Sequence, residues 1–262
     1  MTRTELHEAA SKVPAITLGF WLIKVLATTL GETGGDSVSM TLNLGYLVGT
    51  AVFATILAVL VAAQILARRF HPLLYWATII ASTTAGTTLA DYATRSMGIG
   101  YPGGSILLFG CVAASLLAWR LVLGKVETDT VSTPTAEIFY WVTITFSQTL
   151  GTALGDWTAA TGGLGYLGAA VIFAVMLGAV AALFFWTRIS RVVLFWAAFI
   201  LTRPLGAAVG DFLDKPQDHG GLAFSRPLAS AVLAVAIIAL VLMLPQRAGQ
   251  HPQGVAATRP GS

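Results

Sequence analysis

The sequence predicts an all-α membrane protein of eight transmembrane helices in two parallel four-helix repeats, each built from two helix pairs. Three observations predict it. The 262 residues are 56% hydrophobic and only 10% charged, where a soluble domain carries about a quarter charged residues. The apolar residues fall into eight runs near the ~20 residues that cross a bilayer. The chain also matches itself, without a gap, at an offset of 120 residues. Trp21 answers to Trp141, Gly45-Tyr46 to Gly165-Tyr166, Arg68 to Arg188, Trp76 to Trp196 and Ser105 to Ser225.

In chain order, residues 1–13 form a polar N-terminal segment. Its Glu5 and Glu8 are the wrong flank for a signal peptide, so the first apolar run is expected to stay as a helix. Spans are expected at 14–34, 44–67, 73–92 and 101–120, the first half. A linker follows at 121–136, the one longer connector. The second half, 137–245, holds spans at 137–156, 164–186, 192–211 and 224–244. The Pro/Gly-rich tail 246–262 reads as disordered. Basic residues set the orientation. Arg3, Lys12, Arg68, Arg69, Arg120, Lys125, Arg188, Arg191, Arg247 and Arg259 fall on one side, and Arg95, Lys215 and Arg226 on the other. Both termini are therefore expected in the cytoplasm. Net charge is +3. It reflects basic loops, because no basic helix interleaved with aromatics speaks for nucleic acid. The single cysteine, Cys111, excludes an internal disulfide and a Cys-pair metal site.

Four phrases stand out: GETGGD, GTTLAD, GTALGD and GAAVGD, ending at Asp36, Asp91, Asp156 and Asp211. Asp156 follows Asp36 by 120 residues and Asp211 follows Asp91 by 120, while 55 residues separate the two quarters of each half. Each quarter holds two spans, so every copy enters the membrane in the same direction and all four aspartates end near one face. Gly31/Gly35, Gly86/Ala90, Gly151/Gly155 and Gly206/Gly210 are small pairs that let helix backbones approach closely in lipid. Four and eight residues before each aspartate lie Glu32 and Thr28, Thr87 and Thr83, Thr152 and Gln148, and Ala207 and Arg203. These share roughly one helix face with the acid.

A charge inside a bilayer costs about 2.5–3.5 kcal/mol at the least. Four repeated acids, with Glu32, Lys24 and Arg203, therefore need partners or a wet cavity. Two structural readings compete with a functional one. Each aspartate caps a following segment, or each is consumed in an ion pair with Lys24, Arg203, Arg95 or Lys215. The functional reading is a cation or proton site, since hard cations gather carboxylate, carbonyl and hydroxyl oxygens. The acidic loop 211–221, with Asp214, Asp218 and His219, reads as solvated. Gly163-x-Gly165-x-x-Gly168 spells a dinucleotide fingerprint but has no strand before it, so it is a turn. No hydrolase, zinc-protease or Walker phrase occurs, and no enzyme or cofactor is expected.

Through GETGGD, GTTLADY, GTALGDW and GAAVGDF, across nearly all of residues 14–245, the chain resembles a bacterial family of integral membrane proteins defined by a fourfold repeat of unknown function. The resemblance implies a multi-pass protein of the bacterial cytoplasmic membrane and supplies no activity. A looser similarity links Glu32-Thr33-Gly34-Gly35-Asp36 to cation/proton exchangers with a Glu-x-Gly-Asp signature, manganese exporters among them. Here the phrase is one residue longer and no basic residue follows Asp36.

The expected function is transport of a small cation, a divalent metal exchanged against protons. Asp36, Asp91, Asp156 and Asp211 would bind the ion or carry the proton, and Glu32 would tune affinity. Thr28, Thr83, Thr87, Gln148 and Thr152 would add neutral polar atoms, and Lys24 and Arg203 would be counter-ions for the unloaded acids. The alternatives are a passive channel, an organic-solute transporter, or a non-transporting scaffold packed through its glycines. Expected partners are the lipid bilayer and the cation, with a homo-oligomer left open.

Overall fold

The structure, a computed structural model, describes residues 12–67, 69–126, 133–161 and 163–249. Among these residues are eight α-helices, and the one β feature is an isolated bridge. The helices are α1 (Leu18–Asp36), α2 (Gly45–Leu66), α3 (Pro72–Asp91), α4 (Gly100–Leu123), α5 (Pro134–Ala160), α6 (Gly165–Trp186), α7 (Arg191–Asp214) and α8 (Arg226–Met243). Thr17 caps α1 by accepting from the Phe20 N–H at 3.2 Å, and Thr133 caps α5 just ahead of Pro134. Gly45, Gly100 and Gly165 open α2, α4 and α6 at φ +77°, +64° and +62°. Gly220 holds the same repeat position at φ +82°, a left-handed turn that a side chain would strain.

Five helices, α2, α4, α6, α7 and α8, are long and apolar enough to cross a membrane. The sequence predicted eight. α1, α3 and α5 have the length, at 19, 20 and 27 residues, but not the apolar composition. Their position explains this. α1, α3, α5 and α7 form a closed ring in that order, α7 packing back on α1. Each even helix then packs outside the odd helix of the next pair: α2 on α3, α4 on α5, α6 on α7, and α8 on α1. The outer helices turn apolar side chains such as Val52, Phe109, Val175 and Val235 outward. The ring helices face each other, so polar residues on them are shielded by protein.

Small residues set the ring. Gly31 and Gly35 of α1 lie against Thr83 and Thr87 of α3, and Gly86 of α3 lies against Gln148 and Thr149 of α5. Gly151 and Gly155 of α5 receive Arg203, Pro204 and Ala207 of α7, while Gly206 and Gly210 of α7 receive Thr28 and Glu32 of α1. The glycine stripe of each ring helix thus takes the polar stripe of the next, head to tail. A Cβ on Gly210 would stand 2.7 Å from the Cβ of Glu32, closer than packed atoms allow.

The helix ends at the aspartates differ from expectation. α5 continues past Asp156 to Ala160, and α7 past Asp211 to Asp214. After Asp36 and Asp91 the chain widens into π-helical turns, Ser37–Thr41 and Tyr92–Ser96, which neither aspartate side chain caps. The apolar pattern stops at the acids because the ring turns polar there, while the helical backbone runs on. The segments just before α1 and just after α8 also meet. Ala15 N–H donates to the Arg247 carbonyl and Gly249 N–H to that of Val13, both at 2.8 Å. Residues 246–249 of the expected disordered tail are therefore paired. The rest of that tail, residues 1–11 and 127–132 of the linker lie outside the described residues. Lys12 joins the two halves, donating to the buried Glu137 at 2.6 Å and to the carbonyls of Gln64 and Ile65.

The packing predicts a contrast between two glycines. Gly206→Ala, whose new methyl would collide with Thr28, should cost about 1–3 kcal/mol. Gly178→Ala on α6, where the methyl meets nothing within 4 Å, should leave thermal unfolding in detergent unchanged or slightly later.

Candidate functional site

Every fourth residue along the ring helices is buried, and these residues stand in registers around the axis. On α1 they are Phe20, Lys24, Thr28, Glu32 and Asp36, and on α3 Tyr75, Ile79, Thr83, Thr87 and Asp91. On α5 they are Tyr140, Ile144, Gln148, Thr152 and Asp156, and on α7 Phe199, Arg203, Ala207 and Asp211. Residues four apart form the ridge by which helices commonly interlock. Contacts between helices confirm the registers. The hydroxyls of Tyr75 and Tyr140 lie 3.2 Å apart, the Lys24 ammonium stands 4.1 Å over the Phe199 ring, and Thr87 Oγ1 donates to Glu32 at 3.3 Å.

The aspartate register brings all four predicted acids to one end of the ring, tied in two pairs. Arg95 bridges Asp91, at 3.1 Å from Nε, and Asp156, at 2.8 Å from Nη2. The Lys215 ammonium bridges Asp36 and Asp211, the latter at 2.9 Å, with Asp214 at 3.8 Å. Arg226 Nε stands 3.5 Å from Asp214 and 3.9 Å from Asp36. Asp214 is thus buried, while Asp218 and His219 of the same loop are exposed. Burial disfavours the charge on Lys215, but Asp211, Asp36 and Asp214 outweigh it and push its pKa up. The stabilisation from a raised pKa is full below the ordinary lysine value and is lost only as pH climbs through the raised one. Lys215 is therefore an ammonium at pH 7. Arg95 is raised in the same way, burial being outweighed by Asp91 and Asp156.

Arg95 and Lys215 each follow their own aspartate by four residues and are themselves 120 residues apart. The same offset that revealed the aspartates therefore picks out their partners from the four bases, Lys24, Arg203, Arg95 and Lys215, that the sequence offers as ion-pair candidates. One base from each half serves its own aspartate and one of the other half. Asp36, Asp156 and Asp211 each keep an oxygen without a hydrogen bond, and Asp91 keeps both.

The Arg203 side chain crosses the axis at the register of Glu32 and Thr87, one further in than the acids. It starts on α7, and its Nη2 donates to Glu32 of α1 at 3.1 Å and to Thr87 of α3 at 2.6 Å. The carbonyls of Thr28 and Thr83 lie at 3.4 Å. Of the two expected counter-ions, Arg203 thus pairs with Glu32 and with none of the aspartates. Lys24 makes no ion pair among the described residues; its register is otherwise Ile79, Ile144 and Phe199. Among the expected neutral ligands, Thr87 reaches a carboxylate. Thr28 and Thr152 donate to backbone carbonyls instead. The Thr83 hydroxyl and both amide atoms of Gln148 are buried without a partner among the described residues.

Glu32, Asp36 and Asp211 each offer an oxygen, all within 4.8 Å of one another. This buried, all-carboxylate set has the chemistry of a hard-cation site. Asp91 and Asp156 stand apart from it with Arg95. The basic groups of Arg203 and Lys215 flank the three acids and partly neutralise them.

The profile of a family described as Repeat of Unknown Function (DUF347) matches the chain four times, at residues 19–70, 74–123, 139–190 and 194–246. Each match spans one helix pair, and the chain belongs to that family. No curated protein and no solved structure matches the chain.

Removing Lys215 would leave Asp36 and Asp211 facing each other without their shared base. Lys215→Met should therefore destabilise the protein by about 3–5 kcal/mol, the usual cost of breaking a buried pair. Adding Asp36→Asn should recover a large part of that loss in the same denaturation series.

Proposed function

We propose that this member of the DUF347 repeat family is a multi-pass transporter of a small cation in the bacterial cytoplasmic membrane, exchanging a divalent metal ion against protons. The observation that carries this reading is the sharing of one base between two aspartates, twice around the ring. Two aspartates more than their bases, buried at 4% exposure or less, are expensive unless protonated or joined by a cation. A group of carboxylates that exchanges protons for a metal ion meets that demand in both of its states.

The Lys215 ammonium, on Asp36 and Asp211, stands where a substrate cation would sit. Lysine is a compact charge on a flexible stem, so its withdrawal would open Glu32, Asp36 and Asp211 to an ion. Arg95, a planar fork between Asp91 and Asp156, would hold the opposite pair. Protons taken up by the emptied carboxylates would complete the exchange. Toward the chain ends the axis is filled by Arg203, the Lys24 register and the aromatic register, which weighs against a passive pore. The acid ring is then reached from the other end, where the Arg95 side chain is 28% exposed.

In this reading all eight helices cross the membrane. α1, α3 and α5 fail by composition only, and their polar stripes face the ring rather than lipid. The basic residues at the chain-end side put both termini in the cytoplasm. A second reading has a specific observation in its favour: every ring aspartate has a basic partner, as a non-transporting scaffold tied by ion pairs requires.

Flux in proteoliposomes separates the two. With an imposed proton gradient, the wild type should move Mn²⁺ and dissipate the gradient. Asp36→Asn combined with Asp156→Asn should lower that flux to the level of empty vesicles. Equal flux in the folded double variant would sink the transport reading, and a wild type that neither binds nor moves divalent cations would support the scaffold.

A further inference from the structure

A second set of unpartnered polar atoms lies two to three turns inside the acids. Lys24 Nζ, Arg203 Nε and both amide atoms of Gln148 have no hydrogen-bond partner among the described residues. All three side chains are 0% exposed. Gln148 and Arg203 share a register on neighbouring helices, and Lys24 stands one register below. Its ammonium has the Phe199 ring at 4.1 Å. No acid on the facing helices answers it: α3 brings Ile79 and Thr83, α5 brings Ile144 and Gln148, and α7 brings Phe199 and Arg203. On α1 itself Thr28 spends its hydroxyl on the carbonyls of Val25 and Thr202. Glu32 is taken by Arg203 and Thr87. With Lys24 protonated, Lys24 and Arg203 against Glu32 leave one positive charge over, and the free groups are mostly donors.

A buried ammonium without a counter-charge is strongly disfavoured. Apolar packing alone would place an isoleucine or phenylalanine at position 24, as the other three quarters do. We propose that Lys24, Arg203 and Gln148 form a second axial site, opposite in sign to the acid ring, that takes a small monovalent anion. One halide ion accepts from the Lys24 ammonium, the Arg203 Nε–H and the Gln148 amide, and it supplies the missing charge. A water molecule satisfies the donors but leaves the charge. The site stands independently of the transport reading, since its test reads binding.

The full chain, purified in detergent, is titrated with sodium chloride against sodium gluconate at constant ionic strength, and thermal unfolding is followed. Constant ionic strength removes general screening. Chloride should raise the unfolding temperature saturably in the wild type, as a ligand of the folded state does. Lys24→Met suits the apolar register, so it should fold, be at least as stable without chloride, and lose the chloride-dependent rise. Gln148→Leu should move the midpoint of the chloride effect to about tenfold higher concentration, the equivalent of one lost hydrogen bond. A wild type indifferent to the choice of anion, a Lys24→Met protein with the same rise, or an unmoved midpoint in Gln148→Leu overturns the site.

Discussion

The structure depends on one repeated contact: the glycine stripe of a ring helix receiving the polar stripe of the next. Because glycine carries no side chain, the neighbour's threonine, glutamate or arginine lies directly on backbone, and the helices close to a small ring. The contact is heterologous, each helix giving one face and receiving on another, and four copies close into a ring. Outer helices seal the ring from outside, each displaced by one pair, and α8 returns to α1. Such a ring forces whatever stands at equivalent positions onto one axis. The acids are neighbours because the glycines are.

That geometry also explains the divergence among the quarters. A strict fourfold would place four lysines, four arginines or four glutamates against each other at each level. Instead the charges alternate by half: bases follow the second and fourth aspartates, at Arg95 and Lys215, while Met40 and Ala160 follow the first and third. Each base then reaches its own aspartate and that of the next quarter. The twofold repeat is thus the electrostatic unit, and the fourfold repeat is the packing unit. Within the twofold, Arg95 and Lys215 differ in kind, a rigid fork against a mobile point charge. The carboxylate triad falls around the aspartate pair that Lys215 bridges, and its Glu32 is answered 120 residues on by the neutral Thr152.

Much of this was legible in the sequence. The offset of 120 residues, the four aspartates and the small pairs are visible by self-comparison, and each helix pair falls where a repeat begins. Two things were not. Span counting by apolarity cannot separate a helix in lipid from one inside a ring, so α1, α3 and α5 were read as equals of α2, α4 and α6. Pairing was the second. Lys24 and Arg203 looked like the counter-ions because they lie mid-helix, where an unpaired charge is most costly. In the ring the side chains reach along and across the axis, so Arg203 meets Glu32 and Lys24 meets an aromatic face. The bases that hold the aspartates, Arg95 and Lys215, follow the acids in sequence beyond the apolar runs; they stood among four candidate bases, and the offset linking residues 95 and 215 singles them out.

The central claim is that the carboxylates of the ring trade protons for a cation. The most direct measurement is proton release on cation binding by the detergent-solubilised protein, followed with a pH indicator in weak buffer near pH 7. The account predicts that adding Mn²⁺ acidifies the solution saturably, in step with binding, and that Asp36→Asn with Asp211→Asn abolishes both. Binding without any release of protons, or an equal release from that variant, would contradict it.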